Sequence, residues 1–274
     1  MTSDPDGAGT DPFPSAAPLV RIEVARGVAT LTLDSPANRN ALSTGLIGEL
    51  LAALATTSQD ERVRVIVLSH TGPVFCSGAD LRETAAATRA GEVPVSRLGD
   101  VLAAIWESPK PVLARVGGPA RAGGIGLIAA ADIAVCDETA TFAFTEVRLG
   151  VIPAVISATV LPRLAPRAAT EFFLTGEVFD GARAAEIGLV NAAVPGERLD
   201  AVVAGYAAAL GRGAPGALAA AKRLLQDRAA PGGSLGAQLV ELTELSVRFF
   251  TSAEGREGVA AFAEKRPAAW VIAD

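Results

Sequence analysis

One histidine, His70, and one tyrosine, Tyr206, stand among the 274 residues. That inventory does not readily supply a Ser-His-Asp triad or a zinc site with two histidine ligands. Proton transfer in such a chain falls to Asp, Glu or Lys. His70 sits in LSHTG, beside a turn, where a lone histidine satisfies local hydrogen bonds. The two cysteines, Cys76 and Cys136, make neither a disulfide framework nor a metal cluster. Cys76 reads as a small buried thiol beside Ser77. Beside those side chains the backbone can also do chemistry, and two stretches stand out. Arg121–Ala130 is RAGGIGLIAA, with glycines at 123, 124 and 126, and FCSGADL occupies 75–81.

The glycine stretch admits three readings. Gly124, Gly126 and Ala129 match G-x-G-x-x-A, and Asp137 closes the next strand, which suggests a dinucleotide fold. The acid follows the glycines too soon, and Gly124 lies well beyond Val116, the preceding strand's last residue. The second reading is close packing of a helix on a sheet. The third joins the two loops, since each follows a buried strand and leads into a helical pattern. Two unpaired N–H groups converging on one oxygen would make an oxyanion hole, which stabilises an enolate or a tetrahedral oxyanion. No catalytic side chain is needed for that.

The elements that must hold these loops alternate between strand and helix. LVRIEV and VATLTLD flank Arg26-Gly27 as a hairpin. Ser43 is the expected N-cap of a helix with Leu46, Ile47, Leu50, Leu51 and Leu54 at helical spacing. Val63–Ser69, Val112–Val116, Ile133–Cys136 and Thr141–Phe144 read as strands, and Arg97–Trp106 as a helix. Beyond about Leu199 only Ala-rich helical patterns remain, as far as Phe262. The expectation is an α/β core over 19–198 and a helical region over 199–274.

Composition narrows the class of protein. No apolar run reaches the roughly 18 residues needed to span a bilayer. Residues 1–18 are acidic and rich in Pro and Gly, and read as a disordered tail rather than a signal peptide. A cytoplasmic protein is expected. With 24 basic and 30 acidic side chains and a net charge of −6, no nucleic-acid footprint is indicated.

Six segments, in order, resemble the enoyl-CoA hydratase/isomerase family, the crotonase fold. SPANRNALS is similar to its N-terminal CoA loop and FCSGADL to its first oxyanion loop. VGGPARAGGIGLIAAADIAVC is similar to its second oxyanion loop, and FAFTEVRLGVIP to its acid/base segment. TGEVFDGARAAEIGLVNAAV and FAEKRP follow as the family's later signatures. The resemblance implies an α/β spiral core of repeated ββα units with a C-terminal helical oligomerisation layer.

It also implies roles. Ala79 and Gly123 would give the two N–H donors to a thioester carbonyl oxygen, and Glu146 would move protons at the α and β carbons. Arg39, Ala41, Ser77, Asp80 and Leu81 would line the CoA path. Phe262 and Lys265 would reach CoA bound mainly by a neighbouring subunit of a homotrimer or hexamer. The implied partner is an acyl-CoA thioester, with coenzyme A part of the substrate and no metal or redox cofactor. The implied reaction is hydration of a 2-enoyl-CoA. A Δ3,Δ2-enoyl-CoA isomerase and a non-catalytic acyl-CoA-binding relative are the alternatives.

Two departures from the family pattern matter. Many family hydratases carry a second glutamate three residues after the oxyanion glycine, where this chain has Gly126. The glycine-rich run after IPG is replaced by IPAVISATV, which predicts a reshaped acyl pocket. A carboxylate at 126, at a helix start, is expected to be tolerated and to place a second acceptor on the attacking water. Arg121 either pairs with Glu146 or is solvated.

Overall fold

In the computed structural model, which describes residues 17–90, 97–227 and 235–272, the chain begins with the expected hairpin. Strands β1 (Val20–Ala25) and β2 (Val28–Leu33) pair antiparallel. Arg26 and Gly27 between them have φ of 46° and 77°, the left-handed geometry that a two-residue hairpin turn demands. β2 alternates buried and half-buried residues, so one of its faces joins the core.

The later strands are β3 (Val65–His70), β4 (Val112–Val116), β5 (Ala120–Arg121), β6 (Ile133–Asp137), β7 (Thr141–Ala143), β8 (Phe179–Asp180) and β9 (Ala192–Val194). Among the described residues, six of these strands form a sheet in the order β1-β2-β3-β4-β6-β9, parallel except for the opening hairpin. The remaining three form a small sheet in the order β5-β7-β8. β3 starts later than the apolar run suggests, because Val63 closes a turn onto Asp60 O before the strand begins.

The helices are α1 (Thr44–Gln59), α2 (Leu81–Ala90), α3 (Leu98–Trp106), α4 (Gly123–Ala130), α5 (Ala154–Val160), α6 (Pro166–Thr175) and α7 (Gly181–Glu186). After β9 come α8 (Gly196–Gly211), α9 (Pro215–Asp227), α10 (Leu235–Phe250) and α11 (Ala253–Glu264). This is the mixed α/β architecture with trailing helices that the sequence predicts. Ser43 caps α1 as expected, its hydroxyl accepting from Leu46 N–H at 3.2 Å. α1 then buries Leu46, Ile47, Leu50 and Leu54 against the sheet.

α8 begins at Gly196, before the boundary drawn at 199. Its residues Leu199, Val203 and Ala207 cover the other sheet face at Val65, Val67, Leu113 and Val135. The sheet is thus buried on both faces, which explains its near-continuous apolar strands. Of the expected disordered tail, 1–18, residues 1–16 lie outside the described residues. No helix among the described residues is long and apolar enough to cross a membrane.

Candidate active site

Three loops are stitched together by backbone hydrogen bonds, and the stitching makes the site. Cys76 forms an isolated parallel bridge to Ala120, and Arg121 N–H donates to Cys76 O at 3.0 Å. Leu42 bridges to Ala79, with Leu42 N–H donating to Gly78 O at 2.8 Å. Ser77 N–H donates to Arg39 O at 3.1 Å. Gly78 must be glycine here. Its φ is 88°, and an added Cβ would meet Ala122 Cβ and Arg121 O at 3.1 Å. At Gly78 the two loops thus approach as closely as backbone on backbone.

Asn40 holds the first of these loops and was not singled out by the sequence. It is fully buried with φ of 52°. Its Oδ1 accepts from Ser35 N–H at 2.8 Å, and its Nδ2 donates to Thr71 O at 3.0 Å and Val74 O at 2.8 Å. One side chain thus ties 35–40 to the loop that leads into FCSGADL. A local Asx turn is the only signal a lone Asn gives, and Thr71 and Val74 are distant in sequence.

A cavity of about 770 Å³ opens where the loops meet. Ala79, Gly123 and Glu146 line it together, as do Arg39, Ala41, Ser77, Asp80 and Leu81. Phe262 and Lys265 do not. Phe262 is 87% exposed, and Lys265 ends α11 in a left-handed conformation. Leu98, Val151, Ile152, Val155 and Ile156 supply apolar wall.

The glycine stretch divides in function. Gly123 opens α4, and neither its N–H nor that of Ala79 donates to another described residue. Gly124 and Gly126 face inward. A Cβ at 124 would meet Cys76 Cβ and O at 2.8 Å, and one at 126 would meet Ile156 Cγ2 at 2.6 Å. Both are packing positions, but against the Cys76 loop and neighbouring helices rather than against a sheet. The dinucleotide reading fails, because the G-x-G lies inside the helix instead of in a loop before it. Ala122, just ahead of α4, has φ of 48°, strain of the kind found where a loop is held for function.

Position 126 also corrects an expectation. It does not line the cavity, and Ile156 and Leu102 already fill the space a side chain would need. A glutamate there has no room.

Glu146 begins a single 3-10 turn, Glu146–Leu149, directly after β7. Upstream, Phe144 is buried against Phe173 and Phe179. Downstream, Arg148 pairs with Glu177 at 2.5 Å and donates to Thr175 O at 3.2 Å. The turn is thus anchored on both sides of the carboxylate. Glu146 Oε2 is buried and has no hydrogen-bond partner among the described residues. Burial raises its pKa above the ordinary glutamate value, partly offset by a hydrogen bond from its own backbone.

Arg121 neither pairs with Glu146 nor reaches solvent freely. Its guanidinium donates to Thr141 O at 2.5 Å, Thr141 Oγ1 at 3.0 Å and Ala120 O at 2.9 Å, so it clamps β5 to β7. His70 is structural in the expected sense: Nε2 accepts from Gly117 N–H at 3.0 Å, and burial lowers its pKa. Burial pushes the Cys76 thiol up to about 12, which makes it inert. Asp80 Oδ1 accepts from Arg82 N–H at 2.9 Å and so caps α2 at the cavity edge. Among the described residues no group of three or more His, Cys, Asp or Glu is placed to hold a metal ion.

The sequence profile described as Enoyl-CoA hydratase/isomerase matches residues 23–272. The chain belongs to the enoyl-CoA hydratase/isomerase family. The solved structure of an enoyl-CoA hydratase from Mycobacterium avium is 45% identical, with a TM-score of 0.68, and covers 92% of this chain and 98% of that one. Pseudomonas aeruginosa AtuE superposes more closely, with a TM-score of 0.86 at 34% identity over 92% of this chain and 99% of its own. A Thermus thermophilus protein whose name gives enoyl-CoA hydratase as its suspected activity is 37% identical over 90% of this chain and 98% of its own. The crotonase fold of this family member is thus shared with solved enoyl-CoA hydratases.

Proposed function

We propose that this family member hydrates 2-enoyl-CoA thioesters, with Glu146 as its single acid/base and the N–H groups of Ala79 and Gly123 as its oxyanion hole. The observation that carries the reading is one cavity lined by Ala79, Gly123 and a carboxylate whose Oε2 is buried without a partner. A buried polar atom unpaired within the fold calls for an explanation, and a catalytic role at a substrate proton is one.

The chemistry balances on one carboxylate. Glu146 takes a proton from water as the oxygen bonds to Cβ, and the double-bond electrons move to the thioester oxygen. Donors aimed at that developing charge are each worth about 10²–10³ in rate. The N-terminus of α4 adds the favourable end of a helix dipole. Glu146 then returns the proton to Cα, the enolate collapses, and the carboxylate is regenerated. Arg39, Ala41, Ser77, Asp80 and Leu81 are proposed to line the CoA path, with Phe262 and Lys265 reaching the CoA of a neighbouring subunit.

A second reading is favoured by one observation. Position 126 is a glycine packed against Ile156, so it offers no second carboxylate beside Glu146. A Δ3,Δ2-isomerase needs only one base to carry a proton between two carbons. Incubation with 2-enoyl-CoA and 3-enoyl-CoA thioesters separates the readings. Formation of 3-hydroxyacyl-CoA from the 2-enoyl substrate supports hydration; conversion of 3-enoyl to 2-enoyl without water uptake replaces it with isomerisation. No turnover of either, with acyl-CoA bound, leaves the non-catalytic relative.

A further inference from the structure

Gly126 lies three residues past Gly123 in α4, on the same helical face and one turn deeper. A Cβ there would stand 2.6 Å from Ile156 Cγ2, 3.1 Å from Ile156 Cβ and 3.4 Å from Leu102 Cδ2. Ile156 belongs to α5, is only 2% exposed, and lines the same cavity as Glu146. The two helices are also joined by Thr159, whose hydroxyl donates to Gly126 O at 3.3 Å and to Ile156 O at 3.2 Å. α4 and α5 therefore cannot part at this point without losing a buried hydrogen bond. The Ile156 side chain cannot easily swing away either, since a β-branched residue in a helix is stiff at χ1.

We infer that Gly126 and Ile156 act as one specificity-determining pair: the glycine lets Ile156 close the wall of the cavity that Glu146 also lines, so the pocket selects an acyl chain unbranched at Cβ. The inference rests on the acyl-CoA reading above. Its logic is steric. A packed interior has few voids, so a methyl branch pressed against an immobile wall forces strain. Leu98, Val155 and Ile156 make that wall apolar, so polar acyl substituents find no hydrogen-bond partner on it.

Butanoyl-CoA and 3-methylbutanoyl-CoA are saturated probes that bind without reacting, and titration calorimetry reads both. The unaltered protein should bind the linear probe at least ten-fold tighter. Ile156→Ala, which trims the side chain to its Cβ, should shrink that ratio ten-fold or more by tightening the branched probe. Ile156→Val, a gentler change, should shift the ratio the same way by less and serves if the alanine variant does not fold. In parallel, Gly126→Ala should lower Tm, and Ile156→Ala in the same chain should restore part of the loss.

A general packing role would weaken both probes equally in Ile156→Ala, and that result overturns the inference. Strictly additive Tm losses in the double variant do the same. If the unaltered protein binds neither probe, the acyl-CoA reading itself has failed. Binding with an unchanged ratio refutes the pair alone.

Discussion

A buried carboxylate without a partner is unfavourable for folding, and Glu146 accepts that condition at Oε2. Replacing it with glutamine keeps the volume and removes the base. Turnover of Glu146→Gln should fall at least about 10²-fold while acyl-CoA binding persists; retained turnover would remove Glu146 from the mechanism. The same burial has a stability signature. It raises the folded-state pKa above the unfolded value of about 4.3, so it is the protonated form that the fold favours. That contribution is fully present below the unfolded pKa and is lost as pH rises through the folded one. Glu146→Gln should therefore melt above the unaltered protein at neutral pH, with the gain vanishing near about pH 4. A Tm difference that does not depend on pH would mean Glu146 is not the strained group described here. Since the base form does the chemistry, kcat/KM should decline on the acid side with an inflection above the ordinary glutamate value. Little at this scale was readable from Glu146 itself. In TEVR nothing local distinguishes it from a solvated loop glutamate, and only the family resemblance marked it. Asn40 left no mark at all, because two of its three partners come from another loop.

Among the elements, those with a period announced themselves. The hairpin, α1 with its Ser43 cap, and strands β3, β4 and β6 follow from apolar spacing and turn chemistry. β5 and β8 are two residues each, too short for any period, yet β5 sets Gly123 in place through its bridge to Cys76. The fastening of α9 was equally silent, since it depends on a distant pair. Lys222 Nζ pairs with Asp132 Oδ2 at 2.8 Å and donates to Ile105 O at 3.1 Å, tying α9 to the end of α3. Asp132 Oδ2 also accepts from Val112 N–H at 2.8 Å, at the start of β4. Burial raises the Asp132 pKa and lowers that of Lys222, with the mutual attraction opposing both shifts. Removing one partner leaves a buried charge uncompensated, which costs about 3–5 kcal/mol. Lys222→Ala should lose stability of that order in denaturant unfolding, and α3, which carries Leu98 of the cavity wall, should be the first element to gain hydrogen exchange. An effect below about 1 kcal/mol would class the pair with surface salt bridges instead.

On the scale of the whole molecule, the trailing helices present what a lone chain does not bury. Leu239, Val240, Leu242, Val247 and Phe250 of α10 are exposed, as are Val259 and Phe262 of α11. Large exposed apolar patches mark interaction sites, and the resemblance implies the same helices as an oligomerisation layer. Phe262 and Lys265 do not line the cavity of their own chain, which accords with their proposed contact with the CoA of a second copy. The proposed roles would link assembly to substrate binding. Sedimentation should find a trimer or hexamer at micromolar concentration, and a monomer would dismiss both the assembly and the roles proposed for these two residues. Val240 and Val247 lie two helical turns apart on one face of α10. Changing both to glutamate should produce monomers whose Glu146 cavity stays folded. Those monomers should bind acyl-CoA more weakly, because the cation and the aromatic ring of the neighbour are gone. Lys265→Ala in the intact assembly isolates the electrostatic part: its loss of affinity should shrink as salt is raised, since screening already weakens an exposed charge. If the monomeric variant binds acyl-CoA as tightly as the assembly, the site is complete within one chain and the exposed helices serve association alone.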